Sequence, residues 1–228
     1  MGLLLAIEGI DGSGKGTQAA RLAARAQQSG HSVETFSFPL YDDNPFSRAI
    51  GDYLNGEFGA ADEVHPELAA LLYAGDRFHA RPRIVDALAV RDLVICDRYV
   101  GSNMAHQGAK LAPDDRRRLL DWLDAVEFGE FGLPRPELVV LLDAPVALAR
   151  ELVGRKAARG YTTLEADIHE ADAHHSGATR DVYLELAERY GWHVVRAGGE
   201  DGAARPVDEI AAEVWAAVEP RLLDRRPA

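Results

Sequence analysis

Nine consecutive residues, Gly9, Ile10, Asp11, Gly12, Ser13, Gly14, Lys15, Gly16 and Thr17, combine features that suit the binding of a row of phosphates. The glycines let successive backbone N–H groups turn inward and form a concave anion site. Lys15 adds a mobile cation for the outer phosphates, and a helix beginning here would add its positive N-terminal end. The usual form of such a loop has Ser or Thr directly after the lysine as a ligand for Mg2+. Here that place is Gly16, with Thr17 next. Thr17, directly or through water, or carboxylates elsewhere would then hold the metal, which keeps several waters in any case. Asp11 lies inside the loop, where an acid needs a cation or a donor. It suits orienting magnesium or a sugar hydroxyl, and capping of the loop by its own side chain is the plainer use.

Asp97-Arg98-Tyr99 closes an apolar run. The carboxylate suits Mg2+ or its waters, and the guanidinium suits a bidentate grip on phosphate. Standing alone, the pair would equally be a strand-end salt bridge. Tyr73 and Arg77 are four apart and share one face of a predicted helix. An aromatic plane beside a guanidinium can stack on a base and bond its edge; the plain alternative is a core tyrosine with a surface arginine. Phe38-Pro39 could wall the same pocket. The polar stretch 152–177 holds Arg155, Lys156 and Arg159 and lacks strand character, which predicts a mobile lid over transferring phosphates. His169, Glu170, His174 and His175 lack the spacing of a zinc helix motif and are expected to be exposed lid residues.

These residues need a scaffold. Apolar runs predict strands at 3–8, 32–38, 93–97, 138–143 and 192–196, three of them nearly continuous, as for strands buried on both faces. A helix is expected over 17–29, stopping at Gly30, and Pro66, Pro113, Pro145 and Pro206 each stand where a helix would begin. Three sets, Leu119/Trp122/Leu123/Val126, Tyr183/Leu186/Ala187/Tyr190 and Val207/Ile210/Val214/Val218, give apolar stripes at helical spacing, expected to bury core or a subunit interface. The alternation predicts an α/β fold, a parallel sheet with helices on both faces, whose ligands gather at the carboxyl ends of the strands. No linker divides the chain, so 1–228 is expected to be one domain.

The chain has 228 residues, 47% of them hydrophobic, which suits a globular domain with a full core. Its net charge of −12 argues against nucleic acid or an anionic membrane as partner. Arginines nevertheless cluster at 77–83, 116–118 and 150–159, enough for local phosphate sites. Cys96 is the one cysteine and sits in an apolar run, which suits core packing in a reducing cytosol. The N-terminal apolar run is too short for a secretory core, and no run could span a bilayer. Met1-Gly2 opens like a myristoylation signal, but Ala6 stands where Ser or Thr belongs. A cytoplasmic location is expected.

Several separated motifs agree in order: Glu8-Gly9-Ile10-Asp11-Gly12, Phe38-Pro39-Leu40-Tyr41, Leu72 to Phe78, Val94 to Tyr99, Ser102-Asn103, Gln107-Gly108 and Leu141-Leu142-Asp143. On these the chain resembles the thymidylate (dTMP) kinases, P-loop nucleoside-monophosphate kinases. The resemblance covers most of the chain and weakens in the lid and the C-terminal quarter. It implies a five-stranded parallel sheet with a short lid, ATP and dTMP as substrates, Mg2+ and a homodimer packed through helices. It implies that Phe38 and Tyr73 contact the thymine, Tyr73 by stacking, with Tyr41 nearby, and that Arg77 bonds the base edge. Arg98 would hold the acceptor phosphate. Asp11 and Asp97 would organise magnesium and sugar, and Asn103, His106 and Gln107 would lie against the nucleotide. Arg155 and Arg159 would reach the transferring phosphoryl group. The chain departs from the pattern at Gly16, since Gly-Lys-Gly-Thr looks more like adenylate kinases. It departs again at His106, where many members carry Tyr or Phe against the deoxyribose.

Two other readings stay open. A nucleoside kinase would want a carboxylate at the end of the second strand to take a hydroxyl proton, and Ser37-Phe38-Pro39 offers none. A nucleotide-binding regulatory protein would need segments that reorder on hydrolysis.

Overall fold

Short runs rich in Leu, Val and Ile become strands here because one sheet buries them on both faces. A computed structural model describes residues 1–41, 43–60, 63–154, 173–199 and 202–225. The strands are β1 (Leu3–Glu8), β2 (Val33–Ser37), β3 (Leu93–Asp97), β4 (Leu138–Asp143) and β5 (His193–Arg196). They pair in parallel in the order β2-β3-β1-β4-β5. Central β1 buries all six of its residues, whereas edge strand β5 buries only Val195.

Three strands match their predicted runs. The two edge strands are shorter, for local reasons. Ser32 is held by the Asp92 carboxylate through both its N–H and its hydroxyl, so it belongs to a turn. Phe38 still donates to Asp97 O, but Pro39 has no N–H with which to continue the ladder. Trp192 N–H is spent on Ala187 O at a helix end.

The helices are α1 (Lys15–Gln28), α2 (Pro45–Leu54), α3 (Pro66–Val90), α4 (Val100–Gly108), α5 (Pro113–Asp124), α6 (Val146–Gly154), α7 (Ala173–Tyr190) and α8 (Val207–Leu223). Helix α1 starts two residues before the predicted 17, with Gly14 in the left-handed region as its N-cap. Pro66 and Pro113 open their helices, but Pro145 and Pro206 stand one residue ahead of theirs. The expected stripe on α5 breaks. After Asp124 the chain widens into a π-helical turn, Ala125–Glu130, so Val126 leaves the helical register. Leu119 and Leu123 are buried there, while Trp122 and Val126 are only half-buried. On α7 and α8 the stripes bury their central residues and leave Tyr190 and Val207 exposed.

The core fills the space between sheet and helices. A smaller cluster of Ile50, Tyr53, Leu54 and Ala69 joins α2 to α3. Of the stretch 152–177, residues 152–154 complete α6 and 173–177 open α7. Arg155, Lys156, Arg159, His169 and Glu170 lie outside the described residues. His175 is half-buried rather than exposed, because α7 is already helical there and packs its ring 5.8 Å from that of His106 on α4. Among the described residues no helix is long and apolar enough to cross a membrane.

Candidate active site

The site is built at the carboxyl ends of β1 and β3. Residues 9–14 connect β1 to α1, and Lys15, Gly16 and Thr17 form the first turn of α1. Gly12 has φ 82, and a Cβ there would lie 2.0 Å from Ala149 O of α6, so both backbone shape and close approach demand glycine. Ser13 Oγ is buried with no hydrogen-bond partner. Lys15 is buried and its Nζ donates to Ile10 O at 2.8 Å, folding the side chain back over its own loop. Burial, and then the neighbouring Arg98, pull the Lys15 ammonium down to about 7, against Asp11, Asp97 and Glu8.

Asp97 and Arg98 follow from β3, beside β1. A Cβ at Gly16 would fall 3.1 Å from Asp97 Oδ2, so the strand-end carboxylate lies close over the start of α1. Arg98 has φ 66, the left-handed region that a side chain of this size rarely adopts. Its guanidinium pairs with Asp11 through Nη2 and donates to Ser102 Oγ through Nη1. Asp11 is therefore an ion-pair partner inside the loop.

Beside this pair opens a cavity with a mixed polar and aromatic lining. It is lined by all nine residues expected around an acceptor: Asp11, Phe38, Tyr41, Tyr73, Arg77, Arg98, Asn103, His106 and Gln107. Asp76 of α3 sets one wall. Its buried carboxylate accepts Leu40 N–H at 2.9 Å and Asn44 Nδ2 at 2.6 Å, tying the chain after β2 to α3. Asn44 also caps α2. Tyr73 and Arg77 do share a face of α3, but the plain alternative is reversed. Tyr73 is half-buried, whereas Arg77 is fully buried and donates Nε and Nη2 to the carboxylate of Glu127 at 2.6 and 2.7 Å. Glu127 also accepts Asn103 Nδ2 at 2.9 Å. Asn103 Oδ1 and Gln107 Oε1 are buried with no partner, two acceptors in residues that line the cavity.

Sequence reasoning missed Glu127 and Glu8. Glu8 had one signal, a lone acid ending an apolar strand, where burial demands donors. Glu127 had none, because its place depends on the π-helical turn. Arg155 and Arg159 lie outside the described residues. Among the described residues no group of three or more His, Cys, Asp and Glu side chains could hold a metal unaided.

Comparison with known proteins decides the lineage. The family model described as thymidylate kinase matches residues 7–205. The chain belongs to the thymidylate kinase family. A thymidylate kinase of Mycobacterium tuberculosis is 37% identical over 191 residues, 83% of this chain and 87% of the relative. One of Thermomicrobium roseum is 33% identical over 226 residues, 96% and 95% of the two chains. The solved structure of a thymidylate kinase from Candida albicans superposes with a TM-score of 0.73 at 22% identity, covering 96% of this chain and 92% of that one, and so shares the fold. In this thymidylate kinase fold the loop and the cavity adjoin, since Asp11 of the loop and its partner Arg98 both line the cavity.

Proposed function

We propose that the loop and the cavity divide one reaction between two nucleotides. The chain is a dTMP kinase, passing the γ-phosphoryl of ATP to the 5′-phosphate of dTMP to give dTDP and ADP. In this reading residues 9–17 hold the ATP phosphates on inward N–H groups, with Ser13 Oγ as a further donor. Lys15 leaves Ile10 O for the outer phosphates. Arg98 exchanges part of its contact with Asp11 for the acceptor phosphate. The acceptor oxygen is already anionic near neutral pH, because a phosphate monoester has its second pKa near ~6. Positioning and charge neutralisation therefore do the work, without a strong base.

The cavity takes the thymine. Tyr73 stacks on the ring and Phe38 walls it, with Tyr41 at the mouth. Arg77 has spent Nε and Nη2 on Glu127, leaving Nη1 for the base edge. Asn103 and Gln107 each keep a carbonyl oxygen for a donor on the nucleotide, and His106 faces the sugar side. The observation that carries the reading is this pairing of unfilled acceptors with an aromatic wall beside the Arg98–Asp11 pair.

Asp11, Thr17 and Asp97 offer hard oxygen donors beside the loop, and the closeness of Asp97 to Gly16 fits a Mg2+ ion held jointly with the ATP phosphates and water. Such an ion would neutralise charge on the transferring group. Arg155 and Arg159 would add cations from the lid, within a single domain of 1–228. Leu71, Phe78 and Val85 recur every seven residues as an exposed apolar stripe along α3, which supports a homodimer through this helix. We place the reaction in the cytoplasm, where ATP is available and Cys96 stays a thiol.

A coupled assay of ADP release with ATP, Mg2+ and a panel of nucleoside monophosphates tests the reading. Turnover that depends on dTMP and exceeds that with dCMP and with thymidine is expected. Equal ADP release with and without any acceptor would return the regulatory reading, and turnover on thymidine alone would return the nucleoside kinase.

A further inference from the structure

Glu8 ends the central strand as a fully buried carboxylate and does not line the acceptor cavity. Its Oε1 accepts the N–H of Tyr99 at 2.9 Å. Its Oε2 accepts the hydroxyl of Ser102 at 2.6 Å. The hydroxyl of Tyr183, carried by α7, lies 3.3 Å from the same Oε2 and 2.9 Å from Ser102 Oγ. Ser102 Oγ in turn accepts Arg98 Nη1 at 3.3 Å. One carboxylate thus secures Arg98 from two sides. It fixes the residue after Arg98 by a main-chain bond, holding the left-handed backbone at that position, and it fixes the guanidinium through a serine. The packing is tight, since a Cβ at Gly101 would fall 2.8 Å from Glu8 Oε1 and 2.7 Å from Trp192.

A buried acid costs stability unless it is well supplied with donors. Burial raises the Glu8 pKa, opposed by Ser102, Arg98, Tyr99 and Lys15. Packing alone would be served better by an apolar residue at the end of β1. What the acid adds is direction, because its lone pairs tell three donors from two segments of the chain where to point.

We propose that Glu8 and Tyr183 are positioning residues for Arg98, holding its guanidinium toward the acceptor site through Ser102 and the Tyr99 N–H without touching either nucleotide. This rests on the reading of Arg98 as the grip on the acceptor phosphate. It also links α7 to that grip, since Tyr183 is the one member of the network from outside the β1 and β3–α4 segments.

Tyr183→Phe tests it most directly. The ring and its edge contact with His106 stay, and only the hydroxyl goes. The expected result is a loss of roughly tenfold in kcat/KM for dTMP, with KM for ATP unchanged. Glu8→Gln should cost more, on the order of a hundredfold, in the same parameter. In an Arg98→Ala background both substitutions should lose their effect on kcat/KM, because the residue they position is gone. If Tyr183→Phe is silent, or costs the same factor with and without Arg98, the positioning role is overturned and the network only fills space. Arg98→Ala that leaves dTMP kinetics intact would instead remove the acceptor-site reading. Should Glu8→Gln fail to fold, Tyr183→Phe alone and combined with Arg98→Ala still decides.

Discussion

Arg77 and Arg98 flank the same cavity, and their partners hold them in different ways. The Arg77 side chain is 2% exposed and Glu127 is 0% exposed, joined by two hydrogen bonds with Asn103 as a third party. Arg98 and Asp11 are 17% and 14% exposed, and Arg98 has a hydroxyl as its second partner. The first pair cannot open without stranding a charge in the core. The second borders a cavity and can trade its carboxylate for an incoming anion. In the proposed reading Arg77 stays locked and offers only Nη1 to the base, whereas Arg98 exchanges its carboxylate for the acceptor phosphate.

The largest effect should come from breaking the locked pair. Glu127→Ala leaves Arg77 buried without its carboxylate and leaves Asn103 Nδ2 with Ala70 O alone, so denaturant unfolding should show a loss of about 3–5 kcal/mol. A loss below ~1 kcal/mol would mean that the pair is no more structural than a surface bridge. Arg98→Ala should reverse the pattern. Its kcat/KM for dTMP should fall roughly 100- to 1,000-fold, as for loss of one charge-stabilising donor, with Tm close to that of the parent. A matching collapse of Tm would erase the distinction between the two arginines.

A finer test uses Lys15, which shares Arg98 as a neighbour. With its ammonium at about 7 in the free protein, Lys15 is mostly neutral at pH 8. ATP phosphates favour the charged form, so binding at pH 8 should take up about one proton, and affinity should weaken as pH rises above 7. Calorimetry in buffers of different ionisation enthalpy reads this directly. No uptake at pH 8 would show that Lys15 is already charged when the loop is empty.

Much of this architecture was legible in the chain because its chemistry is local. The phosphate loop is one contiguous run, and β1, β3 and β4 are apolar up to their terminal acids because both faces are buried. Tyr73 and Arg77 could be placed together because four residues make one helical turn. What was not legible depends on distant partners. Glu127 acquires its role from a π-helical turn that no periodicity announces. Spacing alone leaves Arg77 open between a surface residue and a base contact, and its burial follows from an acid 50 positions away. His175 sits in a polar stretch that reads as exposed, yet the first turn of α7 carries it inward against His106. The edge strands lost their end residues to a side-chain turn, a proline and a main-chain bond to a helix end.

The glycine after Lys15 has a consequence for how this loop could change. Any larger residue at position 16 would press on the Asp97 oxygen and lift it by a few tenths of an ångström. A serine here would bring its hydroxyl beside that carboxylate, so the loop and the strand end would adjust together. An exchange at position 16 is therefore felt at the end of β3 as well as on the loop.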